Sequence, residues 1–473
     1  MVFSSAVFLF VFLPVTLGLY YFPIFRHNCE LDIKRKNLVL CLSSLVFYAW
    51  GEPVYIVLML ISIFFNYNLG IDLELNNDKP KKAKVIFIFG LLFNLFLLGF
   101  FKYSGFVVEN INKLFSANIE FEALPLPVGI SFYTFQILSY IIDVYKGEVK
   151  AQKKLVAFAS YITMFPQLIA GPIVQYSDIE NQLLGRKITT EKFAEGIIFF
   201  VRGMGKKVLF ANTIGAVYTD IISNETSDLS AVSAWIGIIC YTLQIYFDFS
   251  GYSDMAVGLG KMFGFEFVKN FDFPYKATSI TDFWRRWHIS LSSWFRDYVY
   301  IPLGGNRKGD FRTILNLLIV WSLTGLWHGA AWNFIAWGAF YGILLIAEKY
   351  LLKDVLEKLP VVVKYIGTMI VVMIGWVFFS SETLTDAVSY IGSMLCLNSN
   401  GFIDSKALYL LNVNSFSIIL MGLSAAGAFD YAFSSKNSKV ANIVRYIVYM
   451  VIFVLCVLYL ISETYNPFLY FRF

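Results

Sequence analysis

Apolar stretches approaching twenty residues recur along the whole of this 473-residue chain, and they limit the folds open to it. A helix needs about 20 residues to cross the hydrocarbon core of a bilayer, and inside lipid every backbone polar group must be bonded within the chain. Fifty-eight per cent of the residues are hydrophobic, 15% are charged and mean hydropathy is +0.64, far from a soluble domain. A membrane β-barrel would instead show short alternating segments. The expectation is an all-α polytopic membrane protein forming one domain over 1–473, with candidate spans at 3–25, 38–50, 54–71, 85–101, 126–145, 155–171, 193–211, 231–249, 313–330, 332–350, 361–379, 408–430 and 444–462.

The net charge of +5 is spread over short loops, which suits anchoring at a membrane face and offers no basic domain for nucleic acid. Cys29, Cys41, Cys240, Cys396 and Cys456 form no CxxC pair, so neither a disulfide framework nor a thiolate metal site is indicated. The run from Val2 to Phe25 lacks a basic start, exceeds a signal-peptide core and is followed by further spans; it reads as the first transmembrane helix.

Lys and Arg placement suggests an orientation. Arg26, Lys34, Arg35 and Lys36 in loop 26–37, and Lys79, Lys81, Lys82 and Lys84 in loop 79–84, are expected on the cytoplasmic side. A hairpin broken at Gly51-Glu52-Pro53 joins them, which puts the N-terminus outside. The loop with Glu109, Glu120 and Glu122 is then external and the Lys146–Lys154 cluster internal, while 172–230 stays unassigned. Between Asp248 and Arg312 the charge density is too high for a simple span, and short re-entrant or interfacial helices on the cytoplasmic side are expected.

Of three histidines, His27 beside Arg26 reads as a solvated loop residue. His288, after Trp287 and two arginines, is open between an aromatic-anchored interfacial residue and a functional one. His328 stands in "LTGLWHGAAWNF" (323–334), with no charged residue between Arg312 and Glu348. Desolvation there favours a neutral imidazole, the form a general base needs; a packed histidine bonding a carbonyl is the alternative. Gly325 and Gly329 permit close approach of a substrate or simply of another helix. There is no GxSxG elbow, and "GGNRKG" (304–309) is no phosphate loop but a turn after Pro302. Asp248 and Asp254 could flank a cation, yet with Gly251 and Ser250 between them a polar helix break is the preferred reading.

"FWRRWHISLSSWFRDYVYIPLGG" (283–305) followed by "LTGLWHG" (323–329) resembles the membrane-bound O-acyltransferase family, in the bacterial branch that acylates cell-surface polymers. "YFDFSGYSDMAVGLGKMFGF" (246–265), "PQLIAGPI" (166–173) and "LPVGISFYTFQILSYIIDVY" (126–145) are similar to that branch too. "YIPLGGNRKG" and the ending "NPFLYFRF" look most like the subgroup that O-acetylates alginate and peptidoglycan. The resemblance implies a ring of roughly 11 transmembrane helices plus re-entrant helices around a central funnel, with a catalytic core about 125–350 and C-terminal helices and aromatic tail at 361–473. It implies His328 as catalytic base and His288 as a second functional histidine. Arg285, Arg286, Trp287, Arg296, Asp297 and Trp327 are donor-channel candidates. Tyr470 is either an acyl-relay hydroxyl or an aromatic-belt residue.

The expected activity is transfer of an acetyl group from a cytoplasmic thioester onto a hydroxyl of an extracytoplasmic protein or surface glycan. The donor is acetyl-CoA or another acyl thioester such as a phosphopantetheine carrier, with no tightly bound cofactor and no metal, at the bacterial plasma membrane. Two rivals stand beside it. One is D-alanyl transfer from a carrier protein to teichoic acid; the other is a polytopic transporter with both histidines in its pathway, although repeated halves are not visible.

Overall fold

The computed structural model describes residues 1–23, 29–223, 228–398, 400–428, 439–462 and 469; His27 and Tyr470 lie outside them. No strand occurs among the described residues. Helices run α1 (Leu13–Tyr21), α2 (Glu30–Gly51), α3 (Tyr55–Leu75), α4 (Pro80–Phe115), α5 (Ile130–Lys146), α6 (Leu155–Thr163), α7 (Phe165–Leu168), α8 (Tyr176–Leu184), α9 (Thr190–Gly205), α10 (Asn212–Ile222) and α11 (Ala231–Met262). They continue as α12 (Ile280–Arg286), α13 (Ile289–Phe295), α14 (Asp310–His328), α15 (Trp332–Tyr350), α16 (Lys353–Lys358), α17 (Val361–Ser380), α18 (Leu384–Met394), α19 (Ser405–Ala425) and α20 (Lys439–Ser462). Among the described residues six helices are long and apolar enough to cross a membrane: α3, α4, α11, α17, α19 and α20. The chain is an all-α, multi-pass membrane protein.

Contacts within the chain separate into two compact units, one of 1–200 with 253–269 and one of 201–252 with 270–473. In the first, the break at Gly51-Glu52-Pro53 forms as expected: α2 ends at Gly51 and α3 starts at Tyr55. Asn66 on α3 and Asn94 on α4 exchange side-chain amide hydrogen bonds at 3.0 and 2.8 Å, satisfying each other where lipid offers no partner. The 26–37 segment is not wholly a loop, because α2 starts at Glu30, where Cys29 caps the helix. Lys36 is consequently buried on α2 and paired to Asp32 at 2.7 Å, so it is not a surface charge that anchors a membrane face.

A second departure concerns Asp248–Asp254. No helix break occurs there, and α11 runs unbroken through these residues. Gly251 instead permits close packing, since a Cβ at that position would lie 2.7 Å from the Gly203 carbonyl oxygen and 3.0 Å from the Lys207 nitrogen. Of the polar groups that suggested a break, Asp248 is paired with Lys207, whose ammonium lies 2.6 Å away.

In the second unit α14 and α15 form a tight antiparallel pair. A Cβ on Gly325 would meet the Phe334 carbonyl oxygen at 2.5 Å, and one on Gly338 would meet the Gly325 Cα at 3.2 Å. Close backbone approach of this kind substitutes for the hydrophobic drive that lipid removes. The short helices expected between the spans are α12 and α13, each of seven residues. The 301–309 segment turns as read from sequence, with positive φ at Gly304, Gly305 and Gly309, and Asn316 of α14 ties it down by donating to the Gly305 carbonyl at 2.9 Å.

Candidate active site

The site is assembled from two helix ends and a strained turn. His328 is the last residue of α14, and its imidazole stands edge-on to Trp327, Trp337 and Phe379, with centroids 4.9, 5.0 and 5.1 Å away. His288 precedes α13 in a left-handed conformation, φ +45° and ψ +53°, which costs a residue with a Cβ of order 1–2 kcal/mol. Such strain survives only where the surroundings over-determine it.

Those surroundings are visible. Asn270 clamps the residues after His288: its carbonyl accepts the Ile289 N–H at 2.9 Å, and its side-chain oxygen accepts the Ser290 N–H and hydroxyl at 3.1 and 2.9 Å. The preceding helix, α12, is held at its start by Glu348 of α15, whose carboxylate oxygens accept the N–H groups of Ile280 and Thr281 at 2.7 and 3.0 Å. An acidic group at a helix N-terminus also meets the favourable end of the macrodipole.

The two histidines are bridged by one indole. Trp327 stacks edge-on with His288 at 6.1 Å and with His328 at 4.9 Å. His288 Nδ1 is buried with no hydrogen-bond partner among the described residues, as is the indole nitrogen of Trp337. Burial holds the His288 imidazole at about 4, below its usual 6.5, so it is neutral at ordinary pH.

Three cavities share lining residues. A mouth of ≈ 660 Å³ carries Arg285, Lys349, Lys353 and Lys364 against Glu348 and Glu357. It shares Tyr300 and Leu317 with an aromatic chamber of ≈ 170 Å³. The chamber shares Trp287, His288 and His328 with an inner pocket of only ≈ 20 Å³, walled further by Trp327, Trp337, Trp376 and Phe379. His328 thus lines both the chamber and the inner pocket, and its ring is packed among aromatic neighbours.

The residues singled out from sequence distribute along this route. Arg285 lies at the mouth, Arg296 in the chamber, and Trp287 and Trp327 at the inner pocket. Arg296 and Asp297 form a bidentate pair at 2.7 and 3.0 Å, while Arg286 is turned to Asp282 at 2.8 Å. Tyr470 is outside the described residues. Sequence reading passed over Asn270, Tyr300, Trp376, Phe379 and the lysines after α15. Trp376 and Phe379 are ordinary apolar positions of a span, and only their i, i+3 spacing hints at a shared face.

Sequence comparison gives the class of membrane protein to which this polytopic helical chain with its paired histidines belongs. Residues 150–385 match the MBOAT, membrane-bound O-acyltransferase family. Over the whole of both chains, 39% of residues are identical to "Probable alginate O-acetylase AlgI" of Pseudomonas putida. Identity is 35% to "Peptidoglycan O-acetyltransferase" of Helicobacter pylori, covering 84% of this chain and 80% of that one. It is 28% to "Teichoic acid D-alanyltransferase" of Bacillus subtilis, covering 53% and 68%. The chain belongs to the membrane-bound O-acyltransferase family and is an O-acyltransferase.

Proposed function

We propose that this protein O-acetylates a cell-surface polysaccharide or its extracytoplasmic carrier, drawing acetyl groups from a cytoplasmic thioester. The observation that carries this reading is the placement of His328 on the wall shared by the chamber and the inner pocket. The names of the full-length relatives support acetyl over D-alanyl transfer, since the D-alanyltransferase covers only 53% of this chain.

The donor, acetyl-CoA or a carrier-bound acetyl thioester, enters at the cationic mouth, where Arg285, Lys349, Lys353 and Lys364 suit its phosphates. That mouth faces the cytoplasm of a bacterial plasma membrane, and the N-terminus lies outside. His328 accepts the proton of the acceptor hydroxyl as its oxygen bonds to the acetyl carbon. The carbon–sulfur bond then breaks, and the thiolate leaves and takes up the proton from the imidazolium. Trp337 supplies an N–H to the developing oxyanion, and His288 holds the thioester against the indole bridge. Tyr470 serves as a transient acetyl acceptor on the way to the final one.

His328→Ala is expected to insert normally and to lose transfer of labelled acetyl by roughly 10²–10⁴-fold. Polymer acetylation equal to wild type, in cells lacking the native copy, would remove His328 from the mechanism. Accumulation of substrate across vesicles without ester formation would favour transport instead.

A further inference from the structure

The mechanism leaves unused the most deeply buried ion pair of the second unit among the described residues. Lys207 and Asp248, with side chains 3% and 1% exposed, meet at 2.6 Å. Such a pair is costly, because desolvating two charges commonly outweighs their attraction unless further hydrogen bonds satisfy them. The further bond comes from the far end of the chain: the backbone N–H of Leu469 donates to the other carboxylate oxygen of Asp248 at 2.9 Å. Leu469 is itself 6% exposed and belongs to the same apolar cluster as Trp287, Trp337, Trp376 and Phe379.

Position on α11 gives this contact its consequence. Ile245 and Phe249, which bracket Asp248 within a single helical turn, both line the inner pocket beside the histidines. Whatever is bonded to Asp248 is therefore fastened to the element that forms one wall of the transfer site. We propose that Lys207 and Asp248 are a latch that seats the backbone at Leu469 against the α11 wall of the transfer site. They are positioning residues. Lys207 orients the carboxylate, and the carboxylate holds a backbone amide, so the latch grips the backbone at Leu469 and not a particular side chain. Its effect on catalysis rests on the acetyl-transfer reading; its effect on the C-terminus does not.

The test uses full-length protein in detergent, digested with carboxypeptidase and followed by intact mass, alongside acetyl-transfer kinetics. In the wild type trimming is expected to stop before Leu469 is removed. Asp248→Asn should let trimming run through Leu469 and lower kcat by roughly 100-fold, the scale of a small misplacement at a reacting centre. The donor KM should stay unchanged, because the cationic mouth is walled by other elements. Since Asp248→Asn strands a buried ammonium and could unfold the region, Lys207→Met combined with Asp248→Leu removes both charges together. That double variant should regain wild-type yield and thermal stability yet remain trimmed and slow. Restored transfer in the double variant would reduce the pair to a structural role and overturn the latch, as would protection of Leu469 in Asp248→Asn. A wild type that transfers no acetyl would end the functional reading, and the trimming arm would still decide the latch.

Discussion

At the scale of single residues, His288 joins a strained backbone to a depressed pKa, and each has a separate consequence. Its φ of +45° favours residues that tolerate the left-handed region, of which asparagine is one and alanine is not. His288→Asn should therefore unfold at nearly the wild-type temperature, while His288→Ala should lose about 1–2 kcal/mol; equal losses would mean that the turn, not the residue, sets the conformation. The pH dependence follows from the folded value of about 4 against 6.5 for the free group. Because the unfolded chain binds the proton first, stability is fully present above pH 6.5 and falls as pH drops toward 4. Thermal unfolding in detergent should show this decline, and His288→Asn should flatten it. His328 stood out in the sequence as a lone imidazole in an uncharged run of residues, with a packed histidine bonding a carbonyl as the alternative reading. His288 was less so, since the Asn270 clamp that holds it comes from a loop eighteen residues upstream and leaves no local signature.

At the scale of elements, the sequence showed where helices run better than it showed what their polar residues do. Six of the thirteen expected spans, 54–71, 85–101, 231–249, 361–379, 408–430 and 444–462, fall on helices long and apolar enough to cross a membrane, whereas 155–171 is divided between α6 and α7; the break at Gly51-Glu52-Pro53 follows from proline and was readable. Lys36 and the Asp248 region were misread because charged residues were taken to mark a loop or a break. Each is instead neutralised inside a continuous helix, by Asp32 at 2.7 Å and by Lys207 at 2.6 Å, and such a partner is a tertiary fact. Glu348 belongs to the same kind. It ends a long uncharged stretch, yet its task is to cap α12 and so to fix the approach of Trp284, Trp287 and His288. Removing it as Glu348→Ala should cost about 1 kcal/mol, the usual loss of a helix cap, and should depress kcat more than the donor KM. A change in KM alone would place Glu348 with the donor and not with α12.

At the scale of the whole molecule, what matters is that cavities of falling size are strung through shared residues, ≈ 660, ≈ 170 and ≈ 20 Å³, from a cationic mouth to the histidines. No sequence pattern encodes a series of voids, because their walls combine side chains from several helices, over 284–328 in the chamber and 245–379 in the inner pocket. The wide end and the narrow end should answer to different changes. Charge reversal at the mouth, as in Lys349→Glu with Lys353→Glu, should raise the donor KM several-fold and weaken its dependence on ionic strength, since part of the attraction being screened is gone. The narrow end should decide which acyl group passes. Phe379 stands edge-on to both His328 and Trp337, at 5.1 and 5.5 Å, so its ring closes the inner pocket on the side of the base. Phe379→Ala leaves a void that costs about 3–5 kcal/mol if nothing fills it. A donor carrying a longer acyl chain can fill it, recovering about 0.8 kcal/mol for each methylene buried. Competition between acetyl and butyryl donors should then shift toward butyryl in the variant by up to about tenfold, a preference of two methylenes. An unchanged ratio, in a variant that still transfers acetyl, would mean that the acyl chain never enters this pocket and that selection occurs earlier, at the chamber bounded by Trp284 and Trp321.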